Sequence, residues 1–255
     1  MFIDSHTHLY LPEFSDNIEN TISSCIDLNI QKLLLPNIDS ASIDSLLSLS
    51  NKFPKICYPM MGLHPCSVSE NYLDELSTIE AHLSNENIIA VGEIGIDLYW
   101  DKSTLEIQKK AFIIQIGWAK KHKLPIVIHA RDSFDELFDV LDVYNDDSLT
   151  GVFHCFTGNQ KQAAKIIDYG GFKLGIGGVV TFKNAGLDKT LSQISLEHLI
   201  IETDSPYLAP HPYRGKRNSS TNLILIAEKL ASIYHCSLDK IASETTKNTI
   251  NVFKL

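Results

Sequence analysis

Ile88-Ile89-Ala90-Val91-Gly92-Glu93, a helical stretch over Thr104–His122, and Pro125-Ile126-Val127-Ile128-His129 together form the unit whose reading decides the fold. The two flanking runs have strand length and are almost wholly apolar. Between them Leu105, Ala111, Phe112, Gln115, Ile116 and Ala119 recur at helical spacing, with Glu106, Lys109 and Lys110 opposite, the pattern of a helix with one buried face. A strand, a helix and a second strand in that order make a βαβ unit of a parallel sheet.

The same alternation extends in both directions. Eight strands are expected, at Phe2–Asp4, Lys32–Pro36, Ile56–Met61, Ile88–Gly92, Pro125–His129, Gly151–Cys155, Phe172–Gly177 and His198–Glu202. Helices are expected at 15–28, 40–52, 71–84, 104–122, 135–144, 160–169, 187–194, 220–234 and 238–252. No Pro/Gly/Ser-rich linker interrupts them. The expectation is an α/β protein consisting of a single (β/α)8 TIM barrel, one domain over residues 1–255; an open doubly wound sheet is the alternative.

A closed barrel brings the C-terminal ends of all its strands to one mouth. Those ends read His6 and His8, Pro36-Asn37, His64, Glu93, His129, His154, Gly177-Gly178 and Asp204. His and carboxylate residues therefore gather at one rim. His-x-His at 6–8 is weak evidence alone, but side chains two apart on a strand share a face, about 7 Å of chain apart, and can address one cation. A carboxylate such as Glu93 after an apolar run is expensive to bury without a cation or donors; the plainer reading is an ion pair with a loop Lys or Arg. His129 and His154 each end an apolar strand, as ligands of a second metal would.

The expected centre holds two divalent cations roughly 3.5–4 Å apart. Glu93 bridges them, His6, His8 and Asp204 complete one shell, and His129 with His154 hold the other. Asp204 is the candidate to orient or deprotonate the attacking water, so Glu93 and Asp204 are the catalytic candidates.

Composition bounds the partners. The formal charge of −9 argues against coating duplex nucleic acid, which needs many Lys and Arg contacts to phosphate. It allows a small metal-filled site to accept a phosphodiester. Five cysteines, odd in number and without a C-x-x-C pair, argue against a disulfide framework and a cysteine zinc site and point to a reducing cytoplasm. No apolar stretch approaches a membrane span, nothing resembles a secretory signal, and no feature calls for an obligate protein partner.

Six motifs, in order along nearly the whole chain, carry a family resemblance: Phe2-Ile3-Asp4-Ser5-His6-Thr7-His8-Leu9, Gly62-Leu63-His64-Pro65, Val91-Gly92-Glu93-Ile94-Gly95-Ile96-Asp97, Ile128-His129-Ala130-Arg131, His154-Cys155-Phe156-Thr157-Gly158 and Glu202-Thr203-Asp204-Ser205-Pro206. The sequence resembles the TatD family of metal-dependent deoxyribonucleases in the amidohydrolase-like superfamily. The resemblance implies a TIM barrel, the metal ligands His6, His8, Glu93, His129, His154 and Asp204, and 3′-to-5′ exonuclease action on single-stranded DNA. It also leaves open D-aminoacyl-tRNA deacylation, and the metal site alone would serve a small-molecule amide or ester hydrolase. Imidazole-rich sites suit Zn, Mn or Ni, whereas the resemblance implies Mg-supported activity. Substrate phosphate is expected at His64, Arg131 and Arg214. Trp100, Phe156, Tyr207 and Tyr213 are expected in rim loops, where aromatics can stack on unpaired bases.

Overall fold

The computed structural model describes residues Met1–Leu255 and contains eight parallel strands. They are β1 (Phe2–Asp4), β2 (Ile30–Leu35), β3 (Cys57–Pro59), β4 (Val91–Asp97), β5 (Ile126–Arg131), β6 (Gly151–Phe153), β7 (Phe172–Ile176) and β8 (Leu199–Ile201). Helices α1 (Ile18–Asp27), α2 (Ile43–Lys52), α3 (Tyr72–Glu80), α4 (Leu105–His122), α5 (Phe134–Tyr144), α6 (Gln160–Asp168) and α7 (Leu187–Leu191) separate them, and α8 (Leu223–Tyr234) and α9 (Leu238–Phe253) follow.

Continuous ladders join β1-β2-β3 and β4-β5-β6-β7-β8. Two bridges connect these runs: Met61 pairs with Val91, and Thr7 pairs with Ser205. Backbone hydrogen bonds surround each bridge, with Met61 N–H on Ala90 O (3.1 Å) and Gly92 N–H on Met61 O (2.9 Å) at one seam. At the other, Ser5 N–H meets Ile201 O (3.1 Å) and Asp204 N–H meets His6 O (2.9 Å). The strands thus close into a (β/α)8 barrel, and the open-sheet alternative falls away.

Two apolar layers hold it together. The outward faces of the strands pack with the helices into the main core. Inside, Ile3, Leu34, Met60, Ala90, Val127, Val152 and Ile200 meet Val252 and Phe253 of α9, so the last helix plugs the end of the barrel away from the mouth. Burying such aliphatic side chains stabilises the fold by about 1.5–3 kcal/mol each. No helix is long and apolar enough to cross a membrane.

The strand boundaries differ most at β4. The expected end at Gly92 is not an end: Ile94–Asp97 continue the ladder against Ile128–Arg131 of β5. Glycine reads as a strand breaker, yet Gly95 at φ 142° lies where a Cβ would come within 2.2 Å of His129 O. Only a residue without a side chain permits that approach. Glu93 consequently sits inside β4, at the irregularity between the Val91 and Ile94 pairings with β5, and its N–H donates to Asn37 O at 3.1 Å. Several helices are shorter than the periodicity suggests, because 3-10 turns at Ser40–Ser42 and Ser220–Asn222 precede α2 and α8.

Candidate metal centre

Glu93 lies at the centre of the mouth, 2% exposed, and every ionic partner it has is an imidazole. Its Oε2 is 3.1 Å from His6 Nε2 and 3.8 Å from His8 Nε2. Its Oε1 is 2.8 Å from His129 Nδ1, 2.9 Å from His154 Nε2 and 3.4 Å from His64 Nε2. No Lys or Arg reaches it, so the loop ion pair contemplated from sequence does not form. Asp204 Oδ1 lies 3.7 Å from His6 Nε2 and 3.6 Å from His8 Nε2, on the Oε2 side. The two carboxylate oxygens of Glu93 therefore face two different sets of side chains.

Strand periodicity explains much of this convergence. Val127, Val152 and Ile200 belong to the inner apolar layer, and residues two further on repeat the same face. Those residues are His129, His154 and Glu202, with Asp204 two beyond. Asp204 takes a left-handed conformation, φ 58°, which short polar side chains tolerate better than most.

The hydrogen-bond network sets the protons. Tyr10 donates its hydroxyl to Pro36 O at 2.6 Å and lies 2.9 Å from His8 Nδ1. With its only proton spent on the carbonyl, that hydroxyl accepts from His8 Nδ1–H, which leaves the His8 Nε2 lone pair facing Glu93 and Asp204. His8 Nε2 is also 3.3 Å from His6 Nε2. Nδ1 of His6 is buried without a hydrogen-bond partner. Lone pairs and carboxylate oxygens crowded into a dry space, short of protons, match what a divalent cation needs. Three groupings bring their donor atoms within 4.8 Å of one another: His6-His8-Glu93, His64-Glu93-His129 and His6-His154-Glu202.

Charge and burial compete at each group. Burial pushes Glu93 upward, but His154, His64, His6 and His129 outweigh it and hold the carboxyl well below the usual range. Burial lifts Asp204 to about 8; His154 opposes the rise, while Glu93 and Glu202 add to it. Burial depresses His6 and His8, reinforced by neighbouring imidazoles. His154 moves the other way, because Glu93 and Glu202 overcome its burial.

Three residues enter the cluster that the sequence reading had placed elsewhere or left unassigned. His64, expected at substrate phosphate, lies against Glu93. Asp97 accepts from His129 Nε2 at 2.8 Å; burial raises its carboxyl, but the His129 bond and backbone amides bring it down to about 2. Glu202 is fully buried, with Oε1 3.3 Å from His154 Nδ1 and accepting from the Cys155 N–H. Gly175 makes room for it, since a Cβ there would sit 2.5 Å from Glu202 Oε2. The signal for Glu202 was available: it stands two residues before Asp204 on the same face. Carboxylates behind metal-binding imidazoles fix ring orientation and raise basicity. Asp4, two residues before His6, is fully buried and accepts from Thr203 N–H (2.9 Å) and Thr203 Oγ1–H (2.6 Å).

A cavity of about 680 Å³ opens above the cluster, lined among others by His64, Arg131, Trp100 and Tyr207. Arg131 is the only Lys or Arg lining it. Arg214 does not line it; its guanidinium stands 4.5 Å over the Phe182 ring. Phe156 is buried in the core rather than on the rim.

A closed parallel barrel with imidazoles and carboxylates converging at its mouth defines the metal-dependent hydrolase class. The family profile described as TatD related DNase matches residues 3–254, and the chain belongs to that family. It is 34% identical over 256 residues to a protein of Bacillus subtilis named uncharacterized metal-dependent hydrolase YabD, covering all of both chains. Among solved structures it is similar to YjjV, a TatD homolog of Escherichia coli K12, with TM-score 0.94 and 27% identity over 100% of this chain and 98% of that one. A TatD family hydrolase of Entamoeba histolytica shares the fold, with TM-score 0.85 at 23% identity over 99% of this chain and 97% of that one.

Proposed function

We propose that this chain is a deoxyribonuclease, one domain over residues 1–255, that holds two divalent cations and hydrolyses phosphodiester bonds at the ends of single-stranded DNA. The observation that carries the reading is the division of Glu93, with Oε2 toward His6 and His8 and Oε1 toward His129 and His154. A single carboxylate between two nitrogen-rich sets is the arrangement that suits two cations. His6, His8 and Asp204 would hold one and His129 with His154 the other, with Glu93 shared. His64 and Glu202 stand close enough to contribute. Magnesium is the expected metal for turnover, with zinc, manganese or nickel also matching the imidazoles.

When bound, such a pair neutralises charge developing on a phosphate and makes water acidic near neutral pH. The residues of the chain do the rest. Asp204, at the same rim beside His6 and His8, would orient the attacking water and accept its proton. Asp97 and Glu202 hold the rings of His129 and His154 in place. Arg131 receives a non-bridging phosphate oxygen, since its guanidinium makes no ion pair of its own and a charged hydrogen bond to phosphate suits it. The family name supports nucleic acid as substrate, and five unpaired thiols suit a reducing cytoplasm.

The test is elemental analysis of the purified protein beside a panel of single-stranded DNA, duplex DNA, RNA, D-aminoacyl-tRNA and simple esters, each with added Mg, Mn or Zn. Fastest metal-dependent release of mononucleotides from single-stranded DNA is the expected result. Preference for the aminoacyl ester or a simple ester would replace the nuclease reading, and failure to bind any divalent cation would end it.

A further inference from the structure

We propose that Trp100 forms a nucleobase-stacking subsite beside the metal centre, with Arg131 binding the adjoining phosphate, so that the site takes a terminal nucleotide whose base is unpaired. This rests on the nuclease reading and adds to it the feature that selects the substrate.

Trp100 lies three residues beyond the end of β4 and is 71% exposed. Indole is large and mostly apolar and is normally well covered in a folded chain. Its neighbour Tyr99 meets it edge to face, with ring centroids 5.0 Å apart at 88°. Behind them lies the Arg131 guanidinium, 3.8 Å from the Tyr99 centroid and 5.5 Å from that of Trp100. Tyr99 thus supports the cation, and the indole keeps an open face on the cavity that contains Glu93, His129, His154 and Asp204.

This corner is fixed relative to the metal centre by one carboxylate. Asp97 Oδ1 accepts the backbone N–H groups of Tyr99 (2.9 Å) and Trp100 (3.2 Å). Its other oxygen, Oδ2, accepts from His129 Nε2 at 2.8 Å. The turn that presents the indole and the imidazole facing Glu93 therefore share an anchor, which sets the spacing between a stacked base and the reacting phosphorus. Across the cavity Tyr207, 48% exposed, offers a second aromatic wall. The volume of about 680 Å³ falls within the roughly 300–1,000 Å³ of small-ligand pockets. An aromatic face, a guanidinium without an ion pair and the candidate metal ligands at the floor match, in turn, the base, a phosphate oxygen and the scissile phosphodiester of a terminal nucleotide. Stacking tolerates any base but needs it out of the duplex, so the subsite favours single strands and frayed ends.

The experiment compares a short oligodeoxythymidylate with the same strand carrying abasic terminal nucleotides, on wild-type protein, Trp100→Ala and Trp100→Phe. In the wild type the abasic strand is expected to show a KM about 5- to 150-fold higher, the span of one stacking contact. That ratio should collapse toward one in Trp100→Ala and be largely retained in Trp100→Phe. Oligodeoxythymidylate should also quench wild-type tryptophan emission, because the only other tryptophan, Trp118, is buried; the Trp100→Phe protein should show no such quench. An unchanged ratio in Trp100→Ala would overturn the subsite while leaving the nuclease reading intact. Absence of any oligonucleotide cleavage would fail the nuclease reading, and the quench would then decide the subsite alone, its absence overturning it. A self-association of the wild type that Trp100→Ala abolishes, with oligonucleotide binding unaffected, would assign the indole to a protein interface and likewise overturn the proposal.

Discussion

Two levels of the barrel interior are built by the same strands. At the closed end Ile3, Leu34, Met60, Val127, Val152 and Ile200 fill the space and α9 seals it. At the mouth, a residue or two further along, the filling is imidazole and carboxylate around Glu93. The lower level is satisfied by packing alone. In the upper one carboxylates and ring nitrogens stand at 2.8–3.8 Å, and two buried ring nitrogens, Nδ1 of His6 and Nδ1 of His154, make no hydrogen bond. Stability and chemistry are thus separated along the strand axis: the lower layer holds the ring closed, and the ring holds a group of polar side chains that packing would not choose.

Breaking the upper layer should produce the largest effect. Glu93→Ala removes the group shared by both sets of side chains, and turnover on single-stranded DNA should fall by something on the order of 10⁴-fold. Circular dichroism should show the barrel intact, because the lower layer is untouched. Wild-type rates in this variant would dissolve the distinction between the layers.

The lower layer can be broken separately. The Leu34 side chain is fully buried in the lower apolar layer, so Leu34→Ala should cost about 2–5 kcal/mol in urea unfolding. The folded fraction should keep its kcat and metal content. Loss of metal in parallel with stability would show that the layers are coupled.

The smallest effect sharpens the boundary rather than breaking it. Tyr10→Phe deletes only the hydroxyl that accepts from His8 Nδ1, and calorimetric titration should show metal affinity about 10–100-fold weaker, with KM for substrate unchanged once the site is saturated. Unaltered affinity would mean that the hydroxyl does not orient the ring.

Much of this arrangement is legible before folding. The βαβ unit around Thr104–His122 and the polar residues at successive strand ends place His6, His8, Glu93, His129, His154 and Asp204 at one rim, and the structure does bring those six together. Asp97 and Glu202 were harder to see, because each acts through a ring held by another strand. His64 reads from sequence as a residue facing substrate; only the loop after β3 turns it onto Glu93. Arg214 has the right charge for phosphate, but its loop carries it to Phe182, and charge alone does not report where a long loop runs.

The order of strands and helices, the apolar lower layer and the polar residues that follow it are written along the chain, since alternation and helical spacing are local properties. The tertiary structure decided that the ring closes through Met61–Val91 and Thr7–Ser205. It also decided which oxygen of Glu93 faces which imidazoles and that Asp97 ties the Trp100 corner to His129. Distances across a barrel depend on the tilt and stagger of strands far apart in the chain, and no stretch of sequence contains them.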